Sequence, residues 1–214
     1  SEKVKQVVGD IMEKTLDNQA AFLALIRTRE FDPALRDHLL SVSTLAIIMG
    51  QALGYEGLRL QNLATGALLH DVGLLRLPHY MYRLPHALRK FERTLYESHP
   101  QLGTAMLDKN GGFAPEVIRM VTDHHVTPDG LGYPQDVAAD ATLEESRLVM
   151  VLDRYDEMLT GQLTLPPQSP QEALSHLYKE GQAKRLDLTL VSQLIRVIGV
   201  YPLYSLVELS SGEK

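Results

Sequence analysis

Residues 58–73 read LRLQNLATGALLHDVG, and the rest of the chain can be worked out from this stretch. It predicts a helix over about 58–71 that delivers His70-Asp71 at its C-terminal end and stops at Gly73. A carboxylate has no capping role there, because the C-terminal end of a helix already carries partial negative charge. A nearby cation would reverse that penalty. The fold class and the chemistry therefore meet in one dipeptide.

Upstream, Asp32-Pro33 is a helix start, since a short carboxylate caps free N–H groups and proline loses nothing at the first helical position. The helix it opens runs through Leu39, Val42, Leu45, Ile48 and Met49 to a loosening at Gly50 and Gly54. Before it, apolar residues at helical spacing from Val4 to Ile26 predict a long entry helix. Downstream, Pro78 and Pro85 punctuate a loop. Further helices are expected at about 89–108, 114–125, 142–160, 170–180 and 187–199. Thr142…Glu145 and Ser169-Pro170…Glu172 both read as capping boxes. Only Leu203–Leu209 has the pattern of an extended segment. The expected fold is all-α: one compact helical bundle of about seven or eight helices with a short C-terminal extended segment. Its parts would be an entry helix over 1–31, the main domain over 32–202 and a tail over 203–214 that begins an extension. Ser1 in place of methionine suggests a piece of something longer.

Composition narrows the function classes. The 214 residues can bury a full core. A formal net charge of -6 argues against a surface that coats DNA, without excluding a small phosphate-bearing ligand held locally. With no cysteine, disulfides and thiolate metal sites are impossible. No apolar run approaches the ~20 residues of a membrane span, and no export signal opens the chain.

His38, His70-Asp71, His99, His124-His125 and Asp153 stand out as one mixed imidazole–carboxylate set, while His79, His86 and His176 read as ordinary surface or hydrogen-bonded residues. His124-His125 also ends a helix and leads into a turn-rich loop with Asp129-Gly130 and Gly132-Tyr133-Pro134. Such a set suits iron, manganese, nickel or zinc, and ligand type alone does not choose among them.

The ordered series resembles the HD-GYP family, a branch of the HD superfamily of metal-dependent phosphohydrolases. His38 precedes His70 by 32 residues, His70 precedes His99 by 29, and His125 precedes Asp153 by 28. Flanking text agrees: His70-Asp71-Val72-Gly73 before Pro78, His99-Pro100 with Gly103, Asp153-Arg154-Tyr155-Asp156, and Gly199-Val200-Tyr201-Pro202. The match spans about residues 20 to 210. The resemblance implies an HD-type helical domain that hydrolyses cyclic di-GMP at a centre of two divalent metal ions. His38, His70, Asp71 and Asp153 would hold one and Asp71, His99, His124 and His125 the other, with Asp71 bridging and Asp71 and His70 central to catalysis. Two cations roughly 3.5–4 Å apart can activate a bridging hydroxide and neutralise phosphoryl oxygens during in-line displacement. It also implies a bacterial, cytoplasmic setting and a regulatory domain or diguanylate-cyclase-type partner.

Three positions depart from the family pattern. Leu74 stands where a phosphate-contacting lysine is usual, Val126 where a glutamate is usual, and Gln162 in a stretch that is usually basic. Position 34, near which a supporting glutamate for a third metal would fall, is alanine. Arg76, Arg83, Arg89 and Lys90, with no acidic residue between Val72 and Phe91, form either a solvated face or a basic rim for a phosphodiester. On the second reading Arg76 or Arg83 stands in for the lysine, and Tyr133 either anchors its turn or borders the ligand. The alternatives to an active phosphodiesterase are a metal-holding module that signals through ligand or protein contacts, an HD-type di-iron oxygenase, and a purely structural bundle.

Overall fold

The computed structural model describes residues 33–82, 88–161 and 166–199. Eight α-helices are present there: α1 (Pro33–Ala52), α2 (Gly57–Leu69), α3 (Lys90–Tyr96), α4 (His99–Asn110), α5 (Pro115–Asp123), α6 (Glu144–Thr160), α7 (Pro170–Gln182) and α8 (Leu188–Ile198). Short 3-10 turns cover Val72–Arg76, His79–Tyr82 and Ala139–Ala141. No strand occurs among the described residues. The all-helical HD-type architecture expected from the sequence is the one observed. The entry helix, Arg83, Gln162 and the extended segment at 203–209 lie outside the described residues.

Helix α1 packs on α2 and α6; α2 also packs on α5, and α4 lies against both α5 and the 72–76 turn. Helices α7 and α8 close on each other and on α6. The main apolar core joins Val42, Ala46 and Met49 of α1 to Leu63 and Ala67 of α2, Met120 and Val121 of α5, and Leu148, Val151 and Leu152 of α6. A smaller core gathers Leu35, Leu39, Leu74, Leu77, Met81 and Tyr96. Along the chain the His-Asp residues fall between contributors to the two cores. His38 follows Leu35 and precedes Val42, and His70-Asp71 lies between Leu69 and Leu74. Packing on both sides thus fixes where these polar residues stand.

Two local expectations need correction. The single helix expected over 89–108 is two, broken at Glu97-Ser98, and Pro100 enters at the start of the second. Proline is tolerated in a first turn and not in an interior, so the break precedes it. The capping box expected at Thr142…Glu145 does not form. Leu143 is the N-cap residue, and the Thr142 hydroxyl bonds to the Ala139 carbonyl at 2.8 Å. Glu145 is engaged instead by Arg59, whose Nε donates at 2.6 Å, and the Tyr55 hydroxyl donates to Glu144. The box at Ser169…Glu172 forms in both directions.

Two glycines permit close approach. A Cβ at Gly73 would lie 1.9 Å from the His99 carbonyl oxygen, and one at Gly132 would lie 2.1 Å from that of His125. Any side chain at either position would push a histidine-bearing segment away.

Candidate metal centre

Five elements bring the set together: His38 from α1, His70 and Asp71 from the end of α2, His99 from the start of α4, His124 and His125 from the end of α5, and Asp153 from α6. All except His125 are buried. Three of the imidazoles share one local device. His70 Nδ1 donates to the Ala67 carbonyl at 2.7 Å, His99 Nδ1 to Tyr96 at 2.8 Å, and His124 Nδ1 to Val121 at 3.0 Å. A carbonyl oxygen only accepts, so the proton sits on Nδ1 and Nε2 turns a lone pair inward. His38 reaches the same state by a long-range route. Its Nδ1 meets Asp156 Oδ2 at 2.7 Å, and the Ser41 hydroxyl donates to the other oxygen of Asp156.

These inward nitrogens converge on both oxygens of Asp71. His99 Nε2 and His124 Nε2 lie 3.0 and 3.5 Å from Oδ1, whereas His70 Nε2 and His38 Nε2 lie 3.7 and 3.9 Å from Oδ2. Asp153 Oδ1 completes the His38 side, at 3.1 Å from His38 Nε2 and 3.5 Å from His70 Nε2. Two groups follow, His38–His70–Asp71 and Asp71–His99–His124–His125, each with ligand atoms within 4.8 Å of one another. His38 Nε2, His70 Nε2 and Asp71 Oδ1 have no hydrogen-bond partner, and the Nε2 atoms of His99 and His124 face each other at 3.1 Å. Buried acceptors turned toward acceptors are costly unless positive charge lies between them. The donor set therefore fits divalent cations: these are buried His/Asp clusters of the kind that HD domains use for metal.

The electrostatics differ across the cluster. Burial opposes charge on His38 and His70, but Asp153 and Asp156 beside the first, and Asp71 and Asp153 beside the second, hold both imidazoles above their ordinary range. Burial likewise opposes charge on Asp71 and Asp153, and the surrounding histidines hold both carboxyls well below theirs. Around His125, burial and the neighbouring His124 and His99 act together, and its basicity falls well below normal. Burial also lowers His124.

A cavity of about 490 Å³ opens beside the cluster, with His125, Asp153, Tyr133, Arg93, Arg154 and Arg185 in its wall. The Tyr133 ring lies over His125 with centroids 4.5 Å apart and a 33° tilt, and the Tyr133 N–H donates to the His125 carbonyl at 3.0 Å. Tyr133 thus both supports a histidine and lines the cavity. Arg76 is exposed and is not part of that wall. Leu74 is 2% exposed within the smaller core and Val126 is 3% exposed, so both departures from the family pattern are apolar core residues. His176 bonds Gln168 at 2.7 Å, away from the cluster. Sequence reading missed the support from Asp156 and Ser41. The signal was present in Asp153…Asp156, whose spacing places both carboxylates on one helix face. It also missed Arg93 and Arg185, for which no local signal exists.

A helical domain that converges imidazoles from separate helices on one shared aspartate defines a class, and the comparisons define the family. The family model described as HD domain matches residues 11–190, and the chain belongs to that family. It is related to the HD-GYP cyclic di-GMP phosphodiesterases at a distance. It is 26% identical over 206 residues to a cyclic di-GMP phosphodiesterase of Pseudomonas aeruginosa, covering 96% of this chain and 49% of that protein. It is also 26% identical over 156 residues to a cyclic di-GMP phosphodiesterase response regulator of Xanthomonas campestris, covering 72% of this chain and 41% of that protein. The chain thus spans half or less of the length of these relatives. An HDG"Y"P protein from Bdellovibrio bacteriovorus shares the fold, with a TM-score of 0.67 at 23% identity over 92% of this chain and 61% of that one. No helix among the described residues is long and apolar enough to cross a membrane.

Proposed function

We propose that the chain is a metal-dependent phosphodiesterase that hydrolyses cyclic di-GMP to the linear dinucleotide, GMP or both. The observation that carries the reading is the division of Asp71, with two imidazole nitrogens on each carboxylate oxygen. A carboxylate approached in this way could be shared by two divalent cations of iron, manganese, nickel or zinc type. His38, His70, Asp71 and Asp153 would hold one, and Asp71, His99, His124 and His125 the other. Bound there, the cations supply Lewis-acid charge to a phosphoryl oxygen and make an attacking water more acidic. The chain's own contribution is placement: carbonyl and carboxylate partners fix the rings of His38, His70, His99 and His124 before substrate arrives, so little reorganisation remains for the chemical step. The cavity beside His125 and Asp153 is the route by which a phosphodiester would reach them.

The substrate assignment rests on the relatives and on the resemblance of the motif series. A second reading, a metal-holding module without turnover that acts in cyclic di-GMP signalling, is favoured by Leu74 and Val126. Both are committed to apolar packing, and neither can touch a phosphate. The two readings separate on turnover of cyclic di-GMP after anaerobic loading with Mn²⁺ or Fe²⁺, beside an Asp71→Ala control. Turnover lost in the control supports the enzyme. A sample holding two metals per chain that leaves cyclic di-GMP intact supports the module.

A further inference from the structure

The cavity wall carries three guanidinium groups, from Arg93, Arg154 and Arg185, and five carboxylates. Carboxylates outnumber arginines, yet most of them are already engaged. Asp153 faces His38 and His70. Glu157 and Glu180 both bind Arg154, at 3.2 and 3.1 Å, so that arginine is already engaged. Asp129 accepts from the Thr127 hydroxyl at 2.5 Å and from the Leu131 N–H at 3.0 Å, within its own loop. Only Glu97 remains, and it meets Arg93 at 4.0 Å, the limit of an ion pair, with the Arg93 side chain 62% exposed. Arg185 forms no close ion pair among the described residues, and the carboxylate that feels its charge is Asp129, whose oxygen is already held by its own loop.

Arg185 is also placed firmly. Its N–H donates to the Glu180 carbonyl at 2.9 Å, and the Lys184 N–H donates to Gly181 at 3.0 Å. Leu186, immediately after it, is buried. The turn requires φ 59 at Lys184, and no other non-glycine among the described residues has positive φ. Such a conformation costs a side-chain-bearing residue energy that the surrounding packing must supply. In return, a guanidinium stands on the wall of the cavity that leads to the metal cluster.

We infer that Arg93 and Arg185 form a clamp for the second phosphodiester of a cyclic dinucleotide, the one not being cleaved at the His/Asp cluster. The inference rests on the proposed phosphodiesterase reading and names the residues that select its substrate class. Guanidinium groups match phosphate oxygens with paired N–H donors. With Leu74 buried, positive charge for the ligand comes from α3 and the α7–α8 turn.

The test compares two substrates on the metal-loaded protein: cyclic di-GMP, which carries two phosphodiesters, and bis(4-nitrophenyl) phosphate, which carries one. For the double variant Arg93→Ala/Arg185→Ala, kcat/KM on cyclic di-GMP should fall by about 10–100-fold, mostly through KM, with metal content unchanged. Activity on bis(4-nitrophenyl) phosphate should stay within about twofold, because the loss of a contact to a phosphate this substrate lacks costs it nothing. Arg185→Lys in the Arg93→Ala background should recover part of the loss. An equal fall on both substrates, or no fall on either, overturns the clamp while leaving the enzyme in place. A wild-type protein that hydrolyses only bis(4-nitrophenyl) phosphate overturns the substrate assignment and the clamp together. One that hydrolyses neither overturns the phosphodiesterase reading itself.

Discussion

The two halves of the His/Asp cluster share Asp71 and little else. On one side, His38 is held by Asp156 and Ser41 through contacts between α1 and α6 that span more than a hundred residues. On the other, His99 and His124 are each held by the carbonyl three residues earlier, and His125 lies under the Tyr133 ring. His38 therefore depends on helix docking, whereas the second half depends on local turns, as His70 does through the Ala67 carbonyl. Their electrostatics differ too: carboxylates raise the basicity of His38 and His70, whereas burial lowers that of His124 and His125. One cluster is thus assembled by two methods, and each method predicts its own failures.

Metal removal should have the largest effect, because it acts on both halves at once. A ligand present at a thousand times its dissociation constant stabilises a fold by about 4 kcal/mol. Chelation should lower the thermal midpoint accordingly, and differential scanning calorimetry would read it. Gly73→Ala comes next. It forces a Cβ against the His99 carbonyl at the join between the halves, and should cost about 3 kcal/mol in denaturant unfolding while disturbing both metals. Asp156→Asn separates the halves. With the carboxylate behind His38 gone, metal affinity of that half should fall about 10–100-fold, while the His99 half keeps its own. A titration by calorimetry should resolve one weakened site, and two equally weakened sites would break the comparison. Tyr133→Ala is the mildest, removing a ring contact worth about 1 kcal/mol from the other half alone. The same titration should show less than a tenfold change there.

The ligand set was legible because His70-Asp71 and His124-His125 stand at helix ends, where nothing in helix formation asks for them. The helices themselves were legible from apolar spacing and proline. Boundaries failed where distant partners intervened: Glu145 is drawn to Arg59, 86 positions away, so the box at Thr142 never forms. Asp156 was visible in the quoted motif, but its partner His38 lies 118 residues upstream, and only packing joins them. The wall of the cavity was least legible of all. Arg93 and Arg185 come from elements with no sequence relation, while Arg76, which looked basic and well placed, is turned to solvent.

On the proposed reading, Asp71 would be shared by two cations. Elemental analysis of the anaerobically loaded chain tests it most directly, beside Asp71→Ala treated identically. On that reading two metal ions per wild-type chain are expected and fewer than one in the variant, since each half loses a shared ligand. Equal metal content in the two proteins would contradict it, and so would a wild-type chain that binds a single ion however much is supplied.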